Sequence, residues 1–372
     1  MNVKSLRRGI TVVGATLVSA VLLASCAGGE TTVEAPTALA PEPIVEAALE
    51  PIVADVNFAL YPGYLDIITT NVFDIFTTAN PDSSVVGIEG PASQTYAQLL
   101  ASPVGSPNVH GGMMNDTLSW SGVNDGMWQQ MTVESVPNLG TVPESLRNDA
   151  GVPWGFNAFG ITYNPDKIDK IDSWEDLYDP ALKGRVAMWP GYFDAYLMAA
   201  VAAGASETEI EVGIEAWAKA KDNIGMWITS VADLHQAIDA GEIWAAPDWL
   251  GTAVRDANAG MNLAFSIPKE GAALNTYQLV VADGITPEET RAMVSMVDLS
   301  LAEQNQNAAF EQLFLTPANG TVKVDASLAT IRGLEGYGFT AQEAEERFYA
   351  LDYEWVGRNT EMIKKLIENR LQ

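Results

Sequence analysis

The chain is 372 residues long, 48% hydrophobic and strongly acidic, with 48 Asp and Glu against 20 Lys and Arg and a formal net charge of −28. That charge repels nucleic acid, and no basic cluster interrupts it, so a nucleic-acid partner is excluded. One Cys and two His exclude a disulfide framework and leave no Cys/His cluster for a transition metal.

The chain opens with Lys4, Arg7 and Arg8, continues through an apolar stretch from Ile10 to Leu23, and reaches the small residues Ala24 and Ser25 before Cys26. This order reads as a secretory signal, and the apolar run falls short of the roughly 20 residues a membrane span needs. Leu23-Ala24-Ser25-Cys26 resembles the lipobox of bacterial lipoproteins. The resemblance implies cleavage of residues 1–25, lipidation of Cys26, and an exported protein held by acyl chains on the periplasmic or cell-surface side of a bacterial membrane. Residues 26–53, rich in Ala, Pro, Glu and Thr, read as a flexible tether. The body beyond is too long for one small core, so two lobes are expected.

Val56, Phe58 and Leu60 alternate as in a strand, and Pro62-Gly63 turns the chain. Leu65, Ile68, Val72, Ile75 and Phe76 recur at helical spacing until Asn80-Pro81. A strand over 84–89, a helix over 93–101 and a strand over 109–114 follow, which is the alternation of an α/β fold with a parallel sheet. Residues 151–163 read as one extended segment across the middle. Ser173 to Asp176 and Ser206 to Glu209 both look like capping boxes. Strands are expected at 186–189, 226–228, 242–247, 263–267 and 277–282, with a helix capped at Ser230. Thr286-Pro287-Glu288-Glu289 is a strong helix start, and the pattern predicts helix from there to Leu313 and again from Ala341 to Leu371.

Catalytic and cofactor signatures are missing. His110 and His235 lie far apart, with neither metal-ligand spacing nor a nearby Ser or Cys, and each reads as a surface or satisfied core residue. No phosphate-cradling glycine loop and no nucleophile elbow occur, so no cofactor and no enzyme activity are expected.

Several segments share a further likeness. Gly151 to Lys167 (GVPWGFNAFGITYNPDK), Ser173 to Pro180 with Lys183-Gly184-Arg185-Val186, Ala240-Gly241-Glu242, Trp249-Leu250-Gly251-Thr252, Pro268 to Gly271 and Pro317-Ala318-Asn319 occur in order. Together they resemble family 1 extracellular solute-binding proteins of ABC importers, with the spermidine/putrescine type as the branch most alike. The resemblance covers about residues 54–355. It implies an α/β, two-lobed periplasmic binding protein fold of type II, with hinge strands between the lobes and a ligand cleft at their interface. Lobe 1 is then 54–157, lobe 2 is 158–271, and 272–372 supplies a return strand and C-terminal helices packing mainly on lobe 1. The implied function is capture of a small solute, a polyamine or other cationic amine, by a monomer that delivers it to a membrane permease and its ATPase subunits.

Site residues follow from strand ends, where α/β sheets present their clefts. Tyr61 and Tyr64 flank the first turn and depart from the aromatic-glycine turn usual in the family. Ser93 stands at a helix start whose free N–H groups can hold a polar group. Asp116 follows the third strand; Trp189, Tyr192 and Asp194 follow another. Trp249 matches the family's stacking Trp, Asp248 precedes it, and Tyr277 falls where polyamine binders carry an acid. Aromatic rings with carboxylates suit an ammonium group. The alternative place for Trp189 and Trp249 is the core, and for Asp116 and Asp194 a helix cap. Other solutes on the same fold are ferric iron, a phosphonate, a sugar or an amino-acid-like compound. An exported hydrolase with paired carboxylates is the remaining class.

Overall fold

The computed structural model describes residues 50–103 and 105–371. The signal segment, Cys26 and nearly all of the tether lie outside the described residues.

Strand and helix alternate from the start, as apolar alternation and proline stops dictate. Strand β1 (Asp55–Leu60) leads to α1 (Leu65–Ile68), a π-turn over Thr69–Phe73, and α2 (Asp74–Ala79). Then come β2 (Ser84–Glu89), α3 (Ala92–Leu100), β3 (Gly111–Asn115), α4 (Asp116–Asn124) and the long β4 (Val152–Tyr163). The next group holds β5 (Val186–Met188), α5 (Asp194–Ala202), α6 (Ile210–Lys219), β6 (Ile224–Trp227), α7 (Val231–Asp239), β7 (Ala245–Trp249), α8 (Leu250–Asn258) and β8 (Ala264–Ser266). Strand β9 (Ala272–Val281) returns, followed by α9 (Pro287–Ser300), α10 (Glu303–Leu313), β10 (Thr316–Pro317), α11 (Ala341–Arg347), β11 (Phe348–Tyr349) and α12 (Tyr353–Leu371).

The sheet runs β2-β1-β3-β9-β4-β7-β5-β6, with β8 and β10 on β4 and β11 on β9. One parallel group, β2-β1-β3, and another, β7-β5-β6, are joined through the antiparallel pair β9 and β4. This is the α/β, two-lobed architecture expected, with two long strands passing through its middle. Every residue of β4 is buried, including Trp154, Phe156 and Phe159. Each such side chain contributes about 1.5–3 kcal/mol on burial, which anchors the central strand.

Helix starts follow local chemistry where the cap is sound. Thr286 and Ser173 form complete capping boxes. Ser206 does not: Glu209 bonds back to the Ser206 N–H in a turn, and α6 begins only at Ile210. The helix expected through Leu313 breaks at Ala302, whose backbone is extended, so α9 and α10 are separate. The helix expected over 341–371 is likewise interrupted, by β11 pairing with β9.

Helix α12 packs against both α4 and α6. At Gly357 a Cβ would stand 3.0 Å from the Trp120 Cβ, which is how closely α12 approaches α4. Among the described residues no helix is long and apolar enough to cross a membrane.

Candidate functional site

A cavity of about 230 Å³ opens where β1, β3, β5 and β7 end and the middle of β9 passes. Its position at the carboxyl ends of parallel strands is the usual one for ligands of open α/β sheets.

One wall is tyrosine. Tyr61 and Tyr64 sit on the turn after β1, where Gly63 takes a positive φ of 87°. Glu89 braces that turn, its Oε1 accepting from the N–H groups of Gly63 (2.7 Å), Tyr64 (3.1 Å) and Leu65 (3.2 Å). Tyr277 of β9 stacks on Tyr64 with ring centroids 6.0 Å apart and meets Tyr61 edge-on at 5.5 Å. Burial raises the phenol pKa of Tyr61 and of Tyr64 well above the ordinary value, so both rings are neutral.

The facing wall is Trp249 with Tyr192, edge to face at 4.7 Å. Trp249 leans on Phe159 (5.0 Å) and Trp189 (5.2 Å) and donates its Nε1–H to Asn275 Oδ1 at 2.6 Å. These contacts fix the indole plane beside the cavity.

Two carboxylates complete the lining. Asp116 is 6% exposed and Asp194 7%. Neither caps a helix: Asn115 caps α4 by accepting from the Leu118 N–H, and the start of α5 carries no side-chain cap bond. Asp116 accepts from the Thr276 N–H (2.6 Å) and Gln278 Nε2 (3.1 Å). Asp194 Oδ1 accepts from Asn275 Nδ2 (2.8 Å) and from the Tyr353 hydroxyl. Adjacent residues of β9, Asn275 and Thr276, thus hold one acid each. All four donors are neutral, and among the described residues neither acid has a cationic partner within ion-pair distance. Burial is the main reason the Asp116 carboxyl is pushed up to about 7; the Thr276 and Gln278 bonds oppose it and the nearby Asp194 adds to it. Burial also raises Asp194, against the pull of Tyr353 and Asn275.

Seven of the residues singled out in the sequence therefore meet here: Tyr61, Tyr64, Asp116, Tyr192, Asp194, Trp249 and Tyr277. Three do not. Ser93 is exposed on α3, away from the cavity. Asp248 is fully buried behind the wall, accepting from Thr162 Oγ1 at 2.8 Å and facing His235. Trp189 supports Trp249 from behind, its Nε1–H donating to the Pro247 carbonyl. Sequence reading missed Asn275, Thr276 and Tyr353, which arrive from distant chain. Among the described residues no group of three or more His, Cys, Asp or Glu is placed to hold a metal ion.

Comparison with known proteins bears on the family and the fold. A profile described as bacterial extracellular solute-binding protein matches residues 71–330. No curated protein sequence matches the chain. Among solved structures, an ABC transporter protein from Clostridium perfringens is 18% identical over 86% of this chain and all of its own length, with a TM-score of 0.72. The spermidine/putrescine substrate-binding protein PotD of Streptococcus pneumoniae is 14% identical over 86% of this chain and 99% of its own, at 0.66. AgtB of A. tumefaciens, solved with agropinic acid, is 19% identical with the same coverages and the same score of 0.66. These likenesses extend over the two-lobed body, the profile spans most of it, and the chain belongs to the bacterial extracellular solute-binding proteins.

Proposed function

We propose that the protein is the substrate-binding component of an ABC importer and that its solute is a small cationic amine. The observation that carries the reading is the pair Asp116 and Asp194, buried in an aromatic cavity with neutral hydrogen-bond partners only. A buried carboxylate without a cation is costly, and an ammonium group supplies what is missing. The rings of Trp249, Tyr192 and Tyr277 add cation–π attraction, about 0.5–2 kcal/mol each. Charge-assisted hydrogen bonds to both acids then orient the head group. The lobe boundaries at 157/158 and 271/272, lipidation of Cys26, export, and delivery to a permease with its ATPase subunits belong to this same proposal. They rest on the leader sequence and on the family.

The test is a titration of tryptophan fluorescence and melting temperature with putrescine, spermidine, betaine, amino acids, sugars, an opine and ferric citrate. Saturable binding of an amine, weakened in Asp194→Asn, supports the proposal. Binding of an uncharged sugar or an anion alone overturns the amine while keeping the family. A second reading is ferric iron, favoured by the convergence of Tyr61, Tyr64 and Tyr277 beside two carboxylates. The raised phenol pKa values oppose it. A visible tyrosinate-to-iron absorption band on adding ferric citrate would establish it.

A further inference from the structure

His235 does not touch the cavity, yet it joins the elements that wall it. The ring is 0% exposed. Its Nδ1 lies 2.6 Å from Asp256 Oδ2 and its Nε2 lies 2.7 Å from Asp248 Oδ2. With both acids ionised, each carboxylate oxygen accepts, both ring nitrogens donate, and the ring carries two protons. The three residues come from three elements. His235 stands on α7, one turn beyond Val231, which lines the cavity. Asp248 is the residue before Trp249 on β7, and Asp256 lies on α8, one turn beyond Thr252, which also lines the cavity.

We infer that His235 is a positioning residue for the solute site: its doubly protonated ring clamps the β7–α8 turn that presents Trp249 and Thr252 to the helix that presents Val231. The inference rests on the cavity being the solute site, as proposed above. The charged groups facing the ring are Asp248 from β7 and Asp256 from α8, with Arg255 beside them. Arg255 bonds Asp256 through Nε (2.7 Å) and Nη2 (3.1 Å), so Asp256 has a second cation. Asp248 has none: apart from the ring it accepts only from Thr162, and its Oδ1 is buried without a partner. Loss of the ring proton would strand Asp248 as a buried anion directly behind Trp249, and the turn would have to move to reach water. Burial alone lowers the ring's pKa, but Asp248 and Asp256 together outweigh it and raise the pKa above the ordinary histidine value. The clamp therefore holds below that raised value and is lost as pH rises through it.

With only two His in the chain, ring NMR on the whole, solute-free protein is tractable. The Trp249 indole signal is identified by its absence from Trp249→Phe. The expected result is one histidine with both ring N–H protons protected below the ordinary histidine pKa, titrating above that ordinary value. The Trp249 indole signal should move with the same midpoint, while far-UV circular dichroism stays constant. In Asp256→Asn both midpoints should fall together, by about one to three pH units. A ring that already carries a single proton below the ordinary histidine pKa overturns the inference. So does a Trp249 signal that stays fixed through the titration, or one that moves only as the whole protein unfolds. The readout needs no solute, so it fails or succeeds independently of the amine proposal.

Discussion

Replacing Asp116 with Asn should make the empty protein more stable at neutral pH while weakening its hold on a cation. The folded state keeps this carboxyl protonated up to about 7, whereas an ordinary Asp loses its proton near 3.8. Between those values the folded state binds a proton that the unfolded chain has released, so the contribution of Asp116 to stability falls as pH rises through the window. Above both values the full cost is on the order of 4 kcal/mol. Asn cannot ionise and escapes that cost. Its amide also has a partner waiting: Gln278 Oε1 is buried without a hydrogen bond, and a flip of the Gln278 amide would pair the two. The assay is urea unfolding of parent and Asp116→Asn between pH 5 and 8. A stability advantage for the variant of about 1 kcal/mol or more should appear at pH 8 and shrink toward pH 5, leaving a margin for cavity water that softens the full cost. Amine affinity should run the opposite way, falling up to about tenfold per pH unit below the Asp116 value in the parent and losing that dependence in the variant. A variant no more stable than the parent at pH 8, or an advantage that is flat with pH, would refute the reasoning.

Other substitutions test the walls and the frame. Trp249→Ala removes one cation–π face of about 0.5–2 kcal/mol and should weaken amine binding by about 2- to 30-fold in a fluorescence or calorimetric titration. Gln306 donates to the Trp154 carbonyl (2.8 Å) and the Ser300 carbonyl (2.9 Å) and accepts from the Ala318 N–H (2.8 Å) and the Asn319 N–H (3.3 Å). At about 1–3 kcal/mol for each buried group left unpaired, Gln306→Leu should cost at least about 3 kcal/mol in urea unfolding. Gly213→Ala would place a Cβ 1.8 Å from the Tyr196 carbonyl where α6 crosses α5. Although Ala is the better helix former, forcing the helices apart should cost about 1–3 kcal/mol and show as a lower melting temperature.

The order of strands and helices was readable because each element carries local signals: alternation in β1, a cap and proline at α9, an unbroken buried run in β4. The break between α9 and α10 was not, since neither Gly nor Pro marks Leu301-Ala302. In the site, residues just after strands were found because the strand itself was evident. Asp248 lies away from the cavity, in the packing behind Trp249, because Thr162 and His235 supply its hydrogen bonds there, and those partners come from other elements of the chain. Ser93 lies outside the cavity: a helix start is visible in sequence, but the direction its N-terminus faces is not. Tyr353 and Asn275 were illegible because their roles arise only when the C-terminal helix and the returning strand meet over Asp194.

That meeting gives α12 a mechanical character. Most of the helix bears on α4 and α6, one from each half, while its first residue rests a hydroxyl on a carboxylate inside the cavity. The helix is a rod laid across two supports with its tip in the cavity. A shift of either support tilts the rod, and a tilt of the rod moves the tip. On the proposal that the cavity holds the solute, a solute that displaces Tyr353 from Asp194 acts on α12, and through it on α4 and α6 at once.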